Sequence, residues 1–292
     1  MRPVRPRALH LSHERYITSA WFLPRKALVE VSREEHAHVG RPGKILIGTS
    51  GWSYSHWRGI FYPPDVASAN FLAFYTQKFP TVEINSSFYH LPRATTIARW
   101  ASTTPAGFCF AVKASRYITH LLRLRNCAEP LQAFFTLVRG FGNKLGPVLF
   151  QLPPGLHRDT DLLAEFLALL PPDLRVAIEF RHKSWYENSV FALLVSHGVA
   201  LCLHDMRGSE APPEPTAPFV YLRFHGPQQA YTGSYEPSQL ARRAAQIGEW
   251  AASGRDVYAY FNNDIGGYAV QNAQELRCLV DLAGKLGQSS DN

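Results

Sequence analysis

Glu83 and Asn85, Glu179 and Arg181, and Arg223 and His225 each stand two residues apart at the polar end of a short apolar run. In an extended chain that spacing puts both side chains of a pair on one face. Carboxylates, guanidiniums and an imidazole facing one space are the groups of acid–base chemistry on a small polar molecule. Glu179 is the expected proton-transfer group, with His225 as its counterpart across the substrate. Glu83, Lys113 and Asp264 complete the expected catalytic set, with Glu83 and Lys113 orienting the site rather than reacting. Arg181 and Arg223 are expected to grip an anionic or hydroxyl-rich group, helped by backbone amides around Gly226 and Gly266. Trp52, Tyr54, Asn85 and Tyr89 would bind substrate from the first two run ends. Gln151 and His182 would do so from the middle of the chain, and Asp205, Asn262 and Asn263 from its last third.

The elements that must position these groups recur along the chain. Eight runs rich in Val, Ile, Leu and Phe, over residues 45–50, 81–86, 108–114, 148–152, 175–181, 199–205, 219–225 and 256–262, read as strands. Helical patterns separate most of them. Residues 159–170 put Leu162, Leu163, Phe166, Leu167 and Leu170 on one side, and residues 238–252 repeat Leu240, Ala244, Ile247 and Ala251. The sixth connection, 207–218, holds Pro212, Pro213, Pro215 and Pro218 and cannot form a regular helix. This alternation predicts an α/β protein, a (β/α)8 TIM-like barrel with the sixth helix replaced by a Pro-rich loop. A doubly wound open sheet is the alternative, but no glycine-rich nucleotide-binding motif follows the first strand. In a barrel every strand's C-terminal end opens onto one mouth, so the polar ends would meet there.

The 292 residues are 46% hydrophobic, 13% aromatic and 18% charged, with a mean hydropathy of −0.16. That composition builds a core and excludes disorder, collagen and coiled coil. No run approaches the roughly 18 apolar residues of a membrane span, so no membrane partner is expected. No N-terminal stretch has the length of a signal peptide, and residues 20–23 come nearest. Cys109, Cys127, Cys202 and Cys278 are widely spaced, which suits reduced thiols in a cytoplasmic protein rather than a disulfide frame or zinc site. Of the formal charge of +7, residues 1–43 carry a large share, with eight Lys/Arg against four Asp/Glu. These residues, rich in proline, read as a flexible basic extension in which His36 and His38 are solvated. The barrel is expected over 44–286, and 287–292 as a disordered tail.

Each polar group also has a structural explanation. Glu83 and Lys113, on neighbouring strands about 4.8 Å apart, could simply pair. Glu179 and Arg181 could neutralise each other, and His225 alone could be a satisfied core histidine. Among chemistries, a glycosidase needs two carboxyl groups roughly 5–9.5 Å apart. The fourth and seventh run ends, where barrel glycosidases carry them, hold Gln151, Arg223 and His225. A Schiff-base aldolase would use Lys113, unless Glu83 keeps it protonated. No cofactor is expected, and the metal alternative is a divalent ion on Glu179, Asp205, His225 and Asp264, for an isomerase or hydrolase. A carbohydrate- or nucleic-acid-binding barrel is the non-catalytic alternative, with the mouth carboxylates opposing phosphate. The reading favoured is an enzyme acting on a small anionic or sugar-like molecule.

Gly48–Tyr54, Val82–Tyr89, Phe110–His120, Leu149–Pro154, Glu179–His182, Tyr221–Gly226 and Tyr260–Asp264 together resemble the YecE-like family, a domain of unknown function. The likeness covers about residues 44–283 and touches every strand. It implies a TIM-like barrel with a polar cleft, and names no reaction.

Overall fold

The computed structural model describes residues 41–227 and 229–289. Most of the expected extension, including His36 and His38, therefore lies outside the described residues. Eight parallel strands form one sheet: β1 (Ile45–Thr49), β2 (Thr81–Ile84), β3 (Cys109–Lys113), β4 (Leu145–Gln151), β5 (Val176–Glu179), β6 (Ala200–His204), β7 (Phe219–Phe224) and β8 (Asp256–Phe261). Each coincides with an expected run. Hydrogen bonding follows the order β1-β8-β7-β6-β5-β4-β3-β2, the winding of a (β/α)8 barrel.

The helices are α1 (Phe71–Tyr75), α2 (Ala94–Thr103), α3 (Ala128–Val138), α4 (Thr160–Ala168), α5 (Asn188–Ser196), α6 (Pro237–Ala252) and α7 (Tyr268–Ser289). Asp159 caps α4 by accepting the Leu162 N–H at 3.0 Å, and Leu162, Leu163, Phe166 and Leu167 are buried on the expected face. Pro237 opens α6 at the position where a missing N–H costs nothing, and Leu240, Ala244, Ile247 and Ala251 are buried. Between β6 and β7 there is no helix, as the four prolines require. No helix among the described residues is long and apolar enough to cross a membrane.

Two cores result. One lies between the strands and the helices. The other fills the barrel, where Phe219, Tyr221, Tyr258 and Tyr260 from β7 and β8 meet Ala111 of β3, Ala177 of β5, and Ala200 and Cys202 of β6. Large rings packed against small side chains fill this space as a buried core.

Closure between β1 and β2 is unlike the other seven joins. A single bridge pairs Ser50 with Glu83, and Gly51 N–H donates to the Glu83 carbonyl at 2.8 Å. Lower down, the hydroxyl of Tyr75, from α1, stands between the strands. It lies 2.9 Å from the Thr49 N–H, which donates to it, and donates to the Thr81 carbonyl at 3.1 Å. Gly48 makes this approach possible, because a Cβ there would lie 2.2 Å from the Thr81 oxygen.

Candidate active site

The floor of the mouth is a buried, closed set of charges. Arg223, 1% exposed, donates from Nη2 to Glu83 Oε1 at 2.8 Å and from Nη1 to Glu179 Oε2 at 2.7 Å. Its Nε also reaches Glu83 Oε1 at 3.2 Å. Glu83 further accepts from Ser50 Oγ at 2.6 Å and Tyr221 OH at 2.7 Å. The other oxygen of Glu179 accepts from Arg181 Nε. Two carboxylates and two guanidiniums thus neutralise one another, the condition under which buried charge is tolerated. Burial alone would raise the Glu179 pKa, but Arg181 and Arg223 outweigh it and hold the carboxyl well below its usual range. Arg181 Nη2 also lies 3.2 Å from His225 Nε2. Burial, reinforced by the two guanidiniums against the pull of Glu179, pushes His225 down to about 3, so its ring is neutral.

This geometry changes several expected roles. Glu179 is a fixed counter-ion and a poor proton carrier at neutral pH. Arg223 is buried beneath the mouth with three of its five N–H donors held by Glu83 and Glu179, which makes it a member of the floor rather than a group presented to a ligand. Glu83 and Lys113 do not pair, since Arg223 has taken the Glu83 carboxylate. Asp205 is turned towards α6: its oxygens accept from His225 N–H at 2.7 Å and Tyr235 OH at 2.6 Å, beside Arg242 and Arg243. Of the amides expected to cradle an anion, Gly226 spends its N–H on Tyr235 OH, and next to Gly266 the Gly267 N–H goes to the Asp264 carbonyl. Asn263 bonds Gly233 O and Asn272 Oδ1, tying the loop after β7 to α7. Asn262 stays at the mouth, with Nδ2 3.1 Å from His225 Nδ1. Gln151 donates to Leu152 O, and His182 stacks on His157 at 3.9 Å. Asp264 is half-buried, and burial raises its pKa.

Lys113 differs from its neighbours. It ends β3 at 6% exposure, and among the described residues its amine has no hydrogen-bond or ion-pair partner. Nζ sits 4.0 Å over the Phe88 ring. Burial, with Arg223 next in weight, pushes it down to about 7 despite the attraction of Glu179 and Glu83.

Beside this floor, the loops after β1 and β2 enclose a cleft of about 800 Å³ with α1 and α2. Trp52, Tyr54, Asn85 and Tyr89, all expected to bind substrate, line it together with Arg99 and Trp100. Trp52 packs edge-on against Trp100 at 5.1 Å. Asn85 Oδ1 is buried with no donor, an acceptor waiting for one. Sequence reading missed Ser50, Tyr221, Arg99 and Trp100. Tyr221 lies on the Arg223 face of its strand, two residues earlier, and that spacing was the available signal.

The donor atoms do not suit a divalent ion. Glu179, His204 and His225 bring ligand atoms within 4.8 Å of one another. Yet His204 Nε2 faces Phe180 O at 2.8 Å, its Nδ1 accepts from Met206 N–H at 3.2 Å, and both Glu179 oxygens hold guanidiniums. Asp205 and Asp264, expected as further ligands, do not join this group.

Parallel strands in closed order, with a charge network at their C-terminal ends, define a TIM-like barrel protein. The chain belongs to the family described as "Protein of unknown function DUF72", which matches residues 46–291. The resemblance to the YecE-like family is thereby borne out. It is similar to the UPF0759 protein YunF of Bacillus subtilis, 29% identical over 82% of this chain and 95% of the relative. It is also similar to the UPF0759 protein YecE of Escherichia coli K12, 29% identical over 49% of this chain and 50% of that one. A DUF72 family protein from Thermotoga maritima superposes with a TM-score of 0.75 at 25% identity, over 82% of this chain and 99% of that one. Another from Enterococcus faecalis gives 0.71 at 21%, over 81% and 95%.

Proposed function

We propose that this protein is an enzyme that binds a small anionic, polyhydroxylated molecule at the barrel mouth and acts on it by acid–base chemistry. The observation that carries the reading is the unpartnered, nearly buried amine of Lys113 beside a charge network that is already neutral without it. A group with a pKa near 7 both gives and takes protons at physiological pH, which Glu179 and His225 do not. Proton transfer is therefore assigned to Lys113, and Glu83, Glu179, Arg181 and Arg223 form its electrostatic floor. The neighbouring cleft supports the ligand class: indole and phenol rings suit sugar faces, Asn85 suits a hydroxyl, and Arg99 suits an anionic group. Because the carboxylates are neutralised internally, they no longer oppose that anion.

Saturation-transfer NMR against aldonates, sugar phosphates and hydroxy acids tests the reading, together with mass spectrometry of small molecules that copurify. At least one polyhydroxylated anion should bind, and Arg99→Ala and Trp52→Ala should each weaken it roughly tenfold, the effect of about 1.4 kcal/mol. The reading fails if no such compound binds and none copurifies. Once a turnover assay exists, Lys113→Met should cost roughly 10²–10⁴ in rate. Turnover at the wild-type rate in that variant would remove Lys113 from the chemistry. A bound ligand that is never turned over would leave a non-catalytic carbohydrate-binding barrel.

A further inference from the structure

Amines at a barrel mouth have a second use besides carrying protons: the unprotonated lone pair attacks carbonyl carbon. Three features of the surroundings of Lys113 bear on it. First, among the described residues no acceptor engages Nζ, so no hydrogen bond to them has to be broken before the lone pair can react. Second, the cationic groups near it are fixed elsewhere: Arg223 on Glu83 and Glu179, and Arg181 on Glu179. They stay charged whatever Lys113 does, and so favour its neutral form. Third, the loop that follows is strained. Residues Tyr117–Leu121 form a widened helical turn, and Arg123, Leu124 and Asn126 adopt φ of 52°, 67° and 48°. Non-glycine residues in that region cost free energy and gather at functional sites.

Every element packed around the amine adds a facing group. β2 brings Glu83, β5 brings Glu179 with Arg181 just beyond it, and β7 brings Arg223. The turn after β2 brings Phe88, whose ring also meets those of His120 and Tyr89, each at 5.0 Å. Burial, followed by the charges of Lys113 and Arg116, pushes His120 down to about 4, so it adds no positive charge. The Phe88 face favours the ammonium and the two carboxylates do likewise, but both carboxylates are already shared with arginines.

We propose that Lys113 forms an imine with a carbonyl group of the bound molecule, which makes the substrate class a small ketone or aldehyde carrying hydroxyl and anionic groups. The inference rests on the reading of the mouth given under Proposed function and adds the covalent bond. Nζ adds to the carbonyl carbon, forming C–N as the carbonyl π bond breaks towards oxygen. The oxygen takes the proton that nitrogen releases, giving a carbinolamine. With one further proton from solvent, that oxygen leaves as water while the nitrogen lone pair forms C=N. The product is an iminium, and hydrolysis reverses each step without an oxidant or reductant. The iminium then draws electrons from the adjacent carbon, which eases loss of a proton or cleavage of a bond there.

Two measurements on the full chain test this. Trace acetylation at pH 7, mapped by peptide mass spectrometry, compares Lys113 with Lys44, Lys78, Lys144, Lys183 and Lys285. An amine titrating near 7 holds a free-base fraction on the order of 10³ above that of an ordinary lysine. Lys113 should therefore be modified at least tenfold faster despite its burial. Borohydride reduction in the presence of dihydroxyacetone phosphate, and separately pyruvate, should then give a stable adduct confined to the Lys113 peptide. Lys113→Met and Lys113→Arg should abolish that adduct. Modification no faster than at the surface lysines overturns the proposal and also removes Lys113 as the proton carrier. Fast acetylation with no ketone adduct at Lys113, or adducts spread over the surface lysines, overturns the imine alone and leaves the acid–base reading standing.

Discussion

Replacing Lys113 with methionine should stabilise the protein, although the residue stands in a charged site. Glu83, Glu179, Arg181 and Arg223 balance without it, so the substitution strands no counter-ion. Methionine has similar length and suits the Phe88 face. The amine is held at about 7 against an ordinary 10.5. At about 1.4 kcal/mol per pH unit, keeping it in the fold at pH 7 costs on the order of 4 kcal/mol. Repacking should take back part of that gain, leaving Lys113→Met about 2–4 kcal/mol more stable at pH 7. The pH dependence has a definite sign. Between pH 7 and 10.5 the unfolded chain binds the proton and the folded chain does not, so wild-type stability rises with pH relative to the variant. The gap is largest at or below neutrality and closes towards pH 10.5. Urea unfolding of both proteins across that interval, analysed by linear extrapolation, measures it. A variant less stable than wild type at pH 7, with a gap independent of pH, would show that Lys113 is a partner of the carboxylates and refute the reasoning.

Arg223→Met should act in the opposite direction, because it leaves two buried carboxylates short of their shared counter-ion. A loss of roughly 3–5 kcal/mol is expected, seen in calorimetry as a Tm lower by about 10 °C, and an unchanged Tm would contradict the network. Tyr75→Phe removes the hydroxyl standing between β1 and β2 and leaves the Thr49 N–H without its partner. About 2–4 kcal/mol should be lost, with faster hydrogen exchange at the Thr49 amide, and wild-type protection there would count against it. Gly226→Ala forces a side chain into φ +111°, with its Cβ 2.4 Å from the Thr232 oxygen. It should cost roughly 2 kcal/mol or more, and perturb the His225 ring resonances in NMR, whereas an unperturbed spectrum would mean that the loop relaxes freely.

The barrel was legible because its signals are local. An apolar run ending in polar residues reports a strand and its direction, and four prolines in 207–218 report a missing helix without any knowledge of neighbours. Contacts within one strand end were also readable: Glu179 does meet Arg181, two residues on. The partners of Arg223 were not readable, because Glu83 lies 140 residues away and reaches it only through barrel closure. Sequence places Lys113 next to Glu83 by strand order. A guanidinium with several donors in a fixed plane nevertheless wins the carboxylate over a single ammonium, and that displacement decides which group can titrate. Asp205 shows another limit. A residue just past a strand end can turn outwards, and here the Tyr235 hydroxyl and the His225 amide draw it towards α6.

Joining β1 to β2 by a phenol and one bridge has a consequence for how the chain is made. The ladder partner of β1 is β8, and just ahead of its first pair, Ile45 with Val257, the Lys44 N–H donates to the Asp256 carboxylate across 212 residues. Closing so long a loop is entropically expensive, and contacts at such separation slow folding. Among the described strands β1 leaves the ribosome first, yet its docking edge arrives only with β8. The Tyr75 hydroxyl is in place early, since α1 lies just upstream of β2, but it can hold only the Thr81 side until β1 is seated. β1 is therefore among the last strands to be secured, and a nascent chain ending before Asp256 would carry it as an open apolar strand in need of protection.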